Sequence, residues 1–110
     1  MKYDVRVRVG KEELSFGMGI VQLMEGIEAY GSLSAAYKQI NMSSSKAWKI
    51  LRKAENDLGF ALVESQSGGI DGGKTVLTKR GKDFLKSYRS MSDEIKGFAQ
   101  EVFDRYFNVY

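Results

Sequence analysis

Apolar and polar positions change period along this chain, and each change marks an element. In Tyr3-Asp-Val-Arg-Val-Arg-Val9 they alternate with period two, the pattern of a strand at 3–9 with Val5, Val7 and Val9 on its inner face. Gly10 and Lys11 turn this strand towards a short second run at 13–16. Gly17 and Gly19 then interrupt the pattern. Ile20, Leu23, Met24, Ile27 and Tyr30 recur every three or four residues, so a helix with one buried face follows. Gly31 and Ser32 end it. Ser34 is placed to cap a short helix over 35–40, and Asn41 tolerates the left-handed conformation of a tight turn. Ser43 is placed to cap a second helix running to Leu58, with Gly59 as its stop. Its apolar positions are Ala47, Ile50, Leu51, Ala54 and Leu58, which leaves Ser44, Ser45, Trp48, Lys49 and Arg52 on or near the opposite face.

Two β-prone runs, 60–63 and 75–78, flank a glycine-rich tip at 65–73 and predict a hairpin with a long loop. From 79 to 107 the pattern is helical again. Phe84, Leu85, Tyr88, Met91, Ile95, Phe98, Val102, Phe103 and Tyr106 form a near-heptad stripe too long for one small domain to cover. Burial against a second subunit, through Phe84, Tyr88, Met91, Ile95, Phe98, Val102 and Tyr106, is the expected solution.

The helical pair over 34–58 has the geometry of a helix-turn-helix, and a hairpin directly behind it is a wing. The expected fold is therefore mainly α with a small β-sheet. It is a winged helix-turn-helix in one domain, 1–110, made of strand 3–9, helix-turn-helix 34–58, wing 60–78 and dimerisation helix 79–107.

Charge sharpens the functional reading. The net charge is only +3, but residues 34–54 hold Lys38, Lys46, Lys49, Arg52 and Lys53 with no acid. Residues 74–89 hold Lys74, Lys79, Arg80, Lys82, Lys86 and Arg89 against Asp83 alone. Four acids and no base occupy 55–73. Segregation of this kind makes a local positive surface suited to a polyanion. The expected DNA contacts are Ser43, Ser44, Ser45, Lys46, Lys49 and Arg52 on the second motif helix, Lys74 on the wing, and Lys79 and Arg80 at the start of the long helix. Arg52 is the best base reader among them, because a guanidinium matches the edge of guanine. Trp48 is expected between the recognition helix and the wing.

Other chemistry finds little material. The chain has no cysteine and no histidine, which removes the commonest metal ligands and the commonest general base. Neither catalysis, a metal nor a cofactor is expected. No run approaches the roughly 18 apolar residues of a membrane span, and the N-terminus is no signal peptide, so a cytoplasmic protein is expected. Residues 68–75, Gly-Gly-Ile-Asp-Gly-Gly-Lys-Thr, match a nucleotide-binding phosphate loop letter for letter. That chemistry needs a helix beginning at the Lys-Thr, whereas Thr75-Val-Leu-Thr78 is β-prone, so no nucleotide is expected there.

The series GSLSAAYKQINMSSSKAWKIL, then LGFALVE, then SGGIDGGKTVLTKRGKDFL resembles the N-terminal DNA-binding domain of the ModE-type molybdate-responsive transcriptional regulators. A more distant resemblance is to LysR-type regulators. It covers about residues 16–88, and its most telling pieces are Gly31 to Ser34, Ser43 with Ala47 and Trp48, the glycine-rich tip after Glu64, and Leu77-Thr78 followed by Gly81. The resemblance implies a winged helix-turn-helix, dimeric through flanking helices, on a palindromic operator. Tyr37 stands where these families usually carry a small residue, so it is expected to turn outward or to open the crossing of the motif helices. The C-terminal oxyanion-binding domains in which such regulators sense molybdate are not expected within the residues up to Tyr110, so direct molybdate sensing is not carried over to them. The expected function is a sequence-specific DNA-binding regulator acting as a homodimer. Two alternatives are a dimeric winged-helix adaptor without specific DNA binding, recognised by a robust dimer with weak or salt-insensitive DNA binding, and a nucleotide-binding enzyme, recognised by binding of a nucleoside triphosphate.

Overall fold

The computed structural model describes residues 1–66 and 74–110. Helices α1 (Met18–Tyr30), α2 (Leu33–Gln39) and α3 (Ser44–Leu58) are followed by strands β1 (Val63–Gln66) and β2 (Lys74–Leu77) and by helix α4 (Lys79–Phe107). The strands pair antiparallel, Val63 opposite Leu77 and Gln66 opposite Lys74. A helix-turn-helix followed by a two-stranded hairpin is a winged helix.

Local chemistry explains the boundaries. Ser32, not Ser34, caps α2, its side chain accepting the Ala35 N–H at 3.0 Å. The reason is Leu33, which is buried and so has to stand inside the first turn, pushing the cap two residues upstream. Ser43 caps α3 by accepting the Lys46 N–H, and Gly59 ends that helix in the left-handed conformation at φ 86°. Asn41 takes φ 54° in the intervening turn, closed by the Met42 N–H donating to the Tyr37 carbonyl at 2.9 Å. Thr78 caps α4 by accepting the Gly81 N–H, and its own hydroxyl donates to the Ala61 carbonyl at 2.6 Å. A Cβ at Gly81 would collide with the Leu62 carbonyl oxygen. Leu77-Thr78-x-x-Gly81 is thus a physical unit: an anchor, a cap and a gap through which α4 meets the backbone just before the wing.

One core serves all four helices. Phe16, Leu23, Met24, Ile27, Leu51, Leu62 and Leu85 are its fully buried large side chains. Phe16 packs edge-on against Phe84 (4.7 Å between centroids) and Tyr88 (5.3 Å). The tightest helix contact is between α1 and α2, where a Cβ on Gly26 would lie 2.6 Å from that of Ala36. Ala36 is therefore the small residue at this approach. Tyr37, one position on, packs half-buried against the core without opening the turn.

Three expectations need correction. Residues 3–8 form no strand. Val9 and Phe16 make an isolated antiparallel bridge, with both N–H···O bonds at 2.9 Å. Gly17 turns the chain into α1 immediately afterwards, so no second strand is left to extend the ladder. The period of two survives without it: Val5, Val7 and Val9 are half-buried while Asp4, Arg6 and Arg8 are exposed. This arm lies beside α4 instead, Tyr88 donating to the Val7 carbonyl (2.8 Å) and Tyr3 stacking on Phe103 at 4.6 Å. The wing strands also differ, 63–66 and 74–77 in place of 60–63 and 75–78. Leu62 is drawn wholly into the core and Phe60 packs against it, so the run before Val63 serves the core and not a ladder.

The third correction concerns α4. Tyr88 is buried in the protomer's own core, so it is no part of a surface offered to a partner, and Phe84 is half-buried against the same core. Beyond Ser92 no residue of α4 is buried. Met91, Ile95, Phe98 and Tyr106 are exposed, with Val102 half-buried among them. Their spacings of four, three, four and four residues keep them on one face. The expected wing tip and the phosphate-loop match fall largely on 67–73, outside the described residues. Lys74 and Thr75, however, open a strand, where a phosphate loop would need the first turn of a helix.

Candidate nucleic-acid interface

Helix α3 is held from three sides. Its core face, Ala47, Leu51, Ala54 and Leu58, is buried. Ser43, Ser44, Ser45, Lys46, Lys49 and Arg52 are all exposed, as are Lys74 at the start of β2 and Lys79 and Arg80 at the start of α4. Ser43 is occupied as a cap. The first turn of α3 carries no acid and lies at the positive end of the helix dipole, which favours an approaching phosphate. Lys79 is 3.5 Å from Asp83, both largely solvated, and the Arg80 guanidinium stacks over Phe60 at 4.2 Å.

Two carboxylates fix the flanks of α3, and both come from the acidic stretch that follows the basic block. Glu55 Oε2 accepts the backbone N–H groups of Leu62 (2.7 Å) and Val63 (3.3 Å), which ties the helix to the root of the wing. Its Oε1 accepts Arg52 Nη1 at 3.0 Å. On the other flank Asp57 accepts the Ser15 hydroxyl at 2.6 Å and the backbone N–H groups of Lys11, Glu12 and Glu13 at 2.9–3.1 Å. The Ser15 hydroxyl, with the Lys11 and then the Glu12 and Glu13 amides, stabilises the ionised carboxyl and lowers its pKa from 3.8 to about 2, against an opposing desolvation. Gly10 is required beside it, because a Cβ there would collide with the Glu13 carbonyl oxygen.

Neither role could be read from the sequence. The Asp57 partners lie 42 to 46 residues away. A carboxylate that caps backbone amides is written with the same letters as one that faces water. The block that is free of acid in sequence is not so in space: Glu13 reaches Lys53 (3.6 Å) and Glu55 reaches Arg52. Trp48 is expected between the recognition helix and the wing, whose tip lies outside the described residues. It is 38% exposed on α3, with the Arg52 guanidinium 5.0 Å from its ring centre. Among the described residues no group of three or more acids could hold a metal ion, and no helix is long and apolar enough to cross a membrane.

No protein-family model matches the chain. Similarity to known proteins is nonetheless extensive along its length. It is 31% identical over 85 residues to the molybdenum transport protein ModE of Azotobacter vinelandii, covering 77% of this chain and 32% of that protein. It is 30% identical over 84 residues to the DNA-binding transcriptional dual regulator ModE of Escherichia coli K12, covering 76% and 30%. To the molybdenum-pterin-binding protein MopB of Rhodobacter capsulatus it is 34% identical over 68 residues, covering 62% and 25%. The matches thus span a third or less of these relatives, 25% to 32% of their length. Over most of its own length, and on a winged-helix fold, this chain is similar to the ModE-type regulators.

Proposed function

We propose that this chain is a sequence-specific DNA-binding transcriptional regulator that reads a pseudo-palindromic operator as a homodimer, with residues 1–110 acting as one domain. The observation that carries the reading is α3. It is a capped helix whose face of Ala47, Leu51, Ala54 and Leu58 is buried and whose outward face offers Ser44, Ser45, Lys46, Lys49 and Arg52 to a major groove. Lys74 on the wing and Lys79 and Arg80 beyond it supply phosphate contacts that set register and orientation. Ser43 adds a hydroxyl at the helix start. The regulatory activity named for the Escherichia coli relative supports carrying this function to the shared segment.

The dimer forms through Met91, Ile95, Phe98, Val102 and Tyr106, the stripe that the protomer leaves uncovered. Two-fold pairing holds two α3 helices on one side of a duplex, about 34 Å apart, and so demands a two-fold site. The test is selection of bound duplexes from a randomised pool, followed by titration at several salt concentrations. The selected sequences are expected to contain inverted half-sites, and affinity is expected to fall steeply with salt as counterions are released. Binding that is absent, or insensitive to salt, overturns the reading.

A further inference from the structure

The cluster Trp48, Arg52 and Glu55 occupies one edge of α3 at spacings of four and three residues, so the three side chains stack along the helix. Trp48 and Glu55 both contact the one guanidinium between them. The Arg52 Cζ lies over the Trp48 ring, 5.0 Å from its centre. Glu55 Oε1 accepts from Nη1 at 3.0 Å. Exposure differs sharply across the pair: the Glu55 side chain is 9% exposed and that of Arg52 64%. The acid is therefore structure, held from behind by the Leu62 and Val63 amides, while the base is surface. A guanidinium carries five N–H donors, and Glu55 engages one nitrogen of Arg52. The remaining edge faces outward, already oriented.

We propose that Glu55 is a positioning residue for base recognition. It holds Arg52 over Trp48 so that the free guanidinium edge meets O6 and N7 of a guanine, and it links that presentation to the seating of the wing. The proposal rests on the reading of α3 as a DNA-facing helix. It differs from a purely structural role for Glu55, in which the carboxylate only satisfies the two amides of the wing root. It also differs from a role for Arg52 as a mobile phosphate contact, for which orientation is irrelevant.

Glu55→Gln separates these roles. The glutamine amide oxygen still accepts from the Leu62 and Val63 N–H groups, so the wing root stays satisfied. Its NH2 then faces the guanidinium, donor against donor, and Arg52 is released. With duplexes selected by the wild-type chain, Glu55→Gln is expected to lower the preference for guanine at one position of each half-site by about 5- to 10-fold, part of the worth of a bidentate contact. The salt dependence should remain that of the wild type, because no phosphate contact is lost. Arg52→Lys keeps the charge and loses the fork, and should give the same loss of preference.

Trp48 is the only tryptophan of the chain, so its emission reports the seating of Arg52 in the free protein. The spectra of Glu55→Gln and Arg52→Lys should both move towards that of Arg52→Ala, a change that a wing-anchoring role alone would not produce. If Glu55→Gln keeps the wild-type base preference while Arg52→Lys loses it, Glu55 is not a positioning residue. If both keep it, Arg52 does not read a base, and the proposal falls while DNA binding stands. If the wild-type chain selects no duplex at all, the functional reading falls and takes this proposal with it.

Discussion

Helix α3 and the second half of α4 carry apolar stripes of similar length, and the fold treats them differently. On α3 the apolar positions Ala47, Leu51, Ala54 and Leu58 are buried in the common core, and Glu55 and Asp57 fasten both flanks to neighbouring backbone. On α4 that support stops at Ser92. The residues beyond it have the arm for company on one side, through Tyr3 on Phe103 and the Tyr3 hydroxyl donating to Gln100 at 3.0 Å. On the next face Phe98 and Tyr106 stand 62% and 64% exposed. The contrast teaches that amphipathic periodicity marks an apolar face without saying whether the protomer itself will cover it. A helix fastened on both flanks presents chemistry; a helix left bare along one face awaits a surface.

Substitutions at matched apolar positions should break or confirm this contrast most visibly. Leu51→Ala, in the middle of α3, is expected to destabilise the folded chain by about 2–5 kcal/mol, read from denaturant unfolding, because it opens a cavity in the shared core. The pair Ile95→Glu and Phe98→Glu should leave the stability of the protomer nearly unchanged. It should yield a monomer by sedimentation and remove most specific affinity for a two-fold site, since the second half-site is no longer brought along by the first. A charged variant that still dimerises would break the contrast outright.

Smaller effects sharpen the account of the flanks. Removing the α3 cap with Ser43→Ala should cost about 1 kcal/mol. The Asp57 clamp is better seen by pH. Its folded pKa of about 2 lies below the ordinary 3.8, so the clamp contributes in full above that ordinary value and is lost as pH falls through about 2. Thermal stability of the wild type should therefore fall across the window from roughly pH 4 to pH 2. Asp57→Asn, less stable near neutrality, should show a smaller fall there. Equal acid sensitivity in the two proteins would assign the transition to other carboxylates. On the bare half of α4, Gly97 has no neighbour within 4 Å of an added Cβ. Gly97→Ala should stabilise the chain by about 0.5–1 kcal/mol, through helix propensity alone.

How far the sequence could be read depended on the range of the forces involved. Helix α3, the Ser43 cap, the Gly59 stop and the bounds of α4 follow from neighbours within four residues, and they stand where the spacing put them. The arm at 3–9 shows the limit: alternation described which side chains turn inward, and it was silent on whether another strand would be there to pair. The α2 cap moved from Ser34 to Ser32 because burial of Leu33 outweighed a local preference that either serine could meet.

What the sequence determined by itself is a set of faces and stops: which side of each helix is apolar, where a cap or a left-handed residue ends it, and where positive charge collects. Such features are settled by backbone geometry and side-chain chemistry over a single turn. What only the tertiary structure decided is the use made of residues far apart in the chain. Glu55 and Asp57 became clamps, Tyr88 turned into the core to hold the arm, and Arg52 came to lie between an aromatic ring and a carboxylate. Hydrogen bonds to backbone amides depend on where a distant segment passes, and no local pattern records that path.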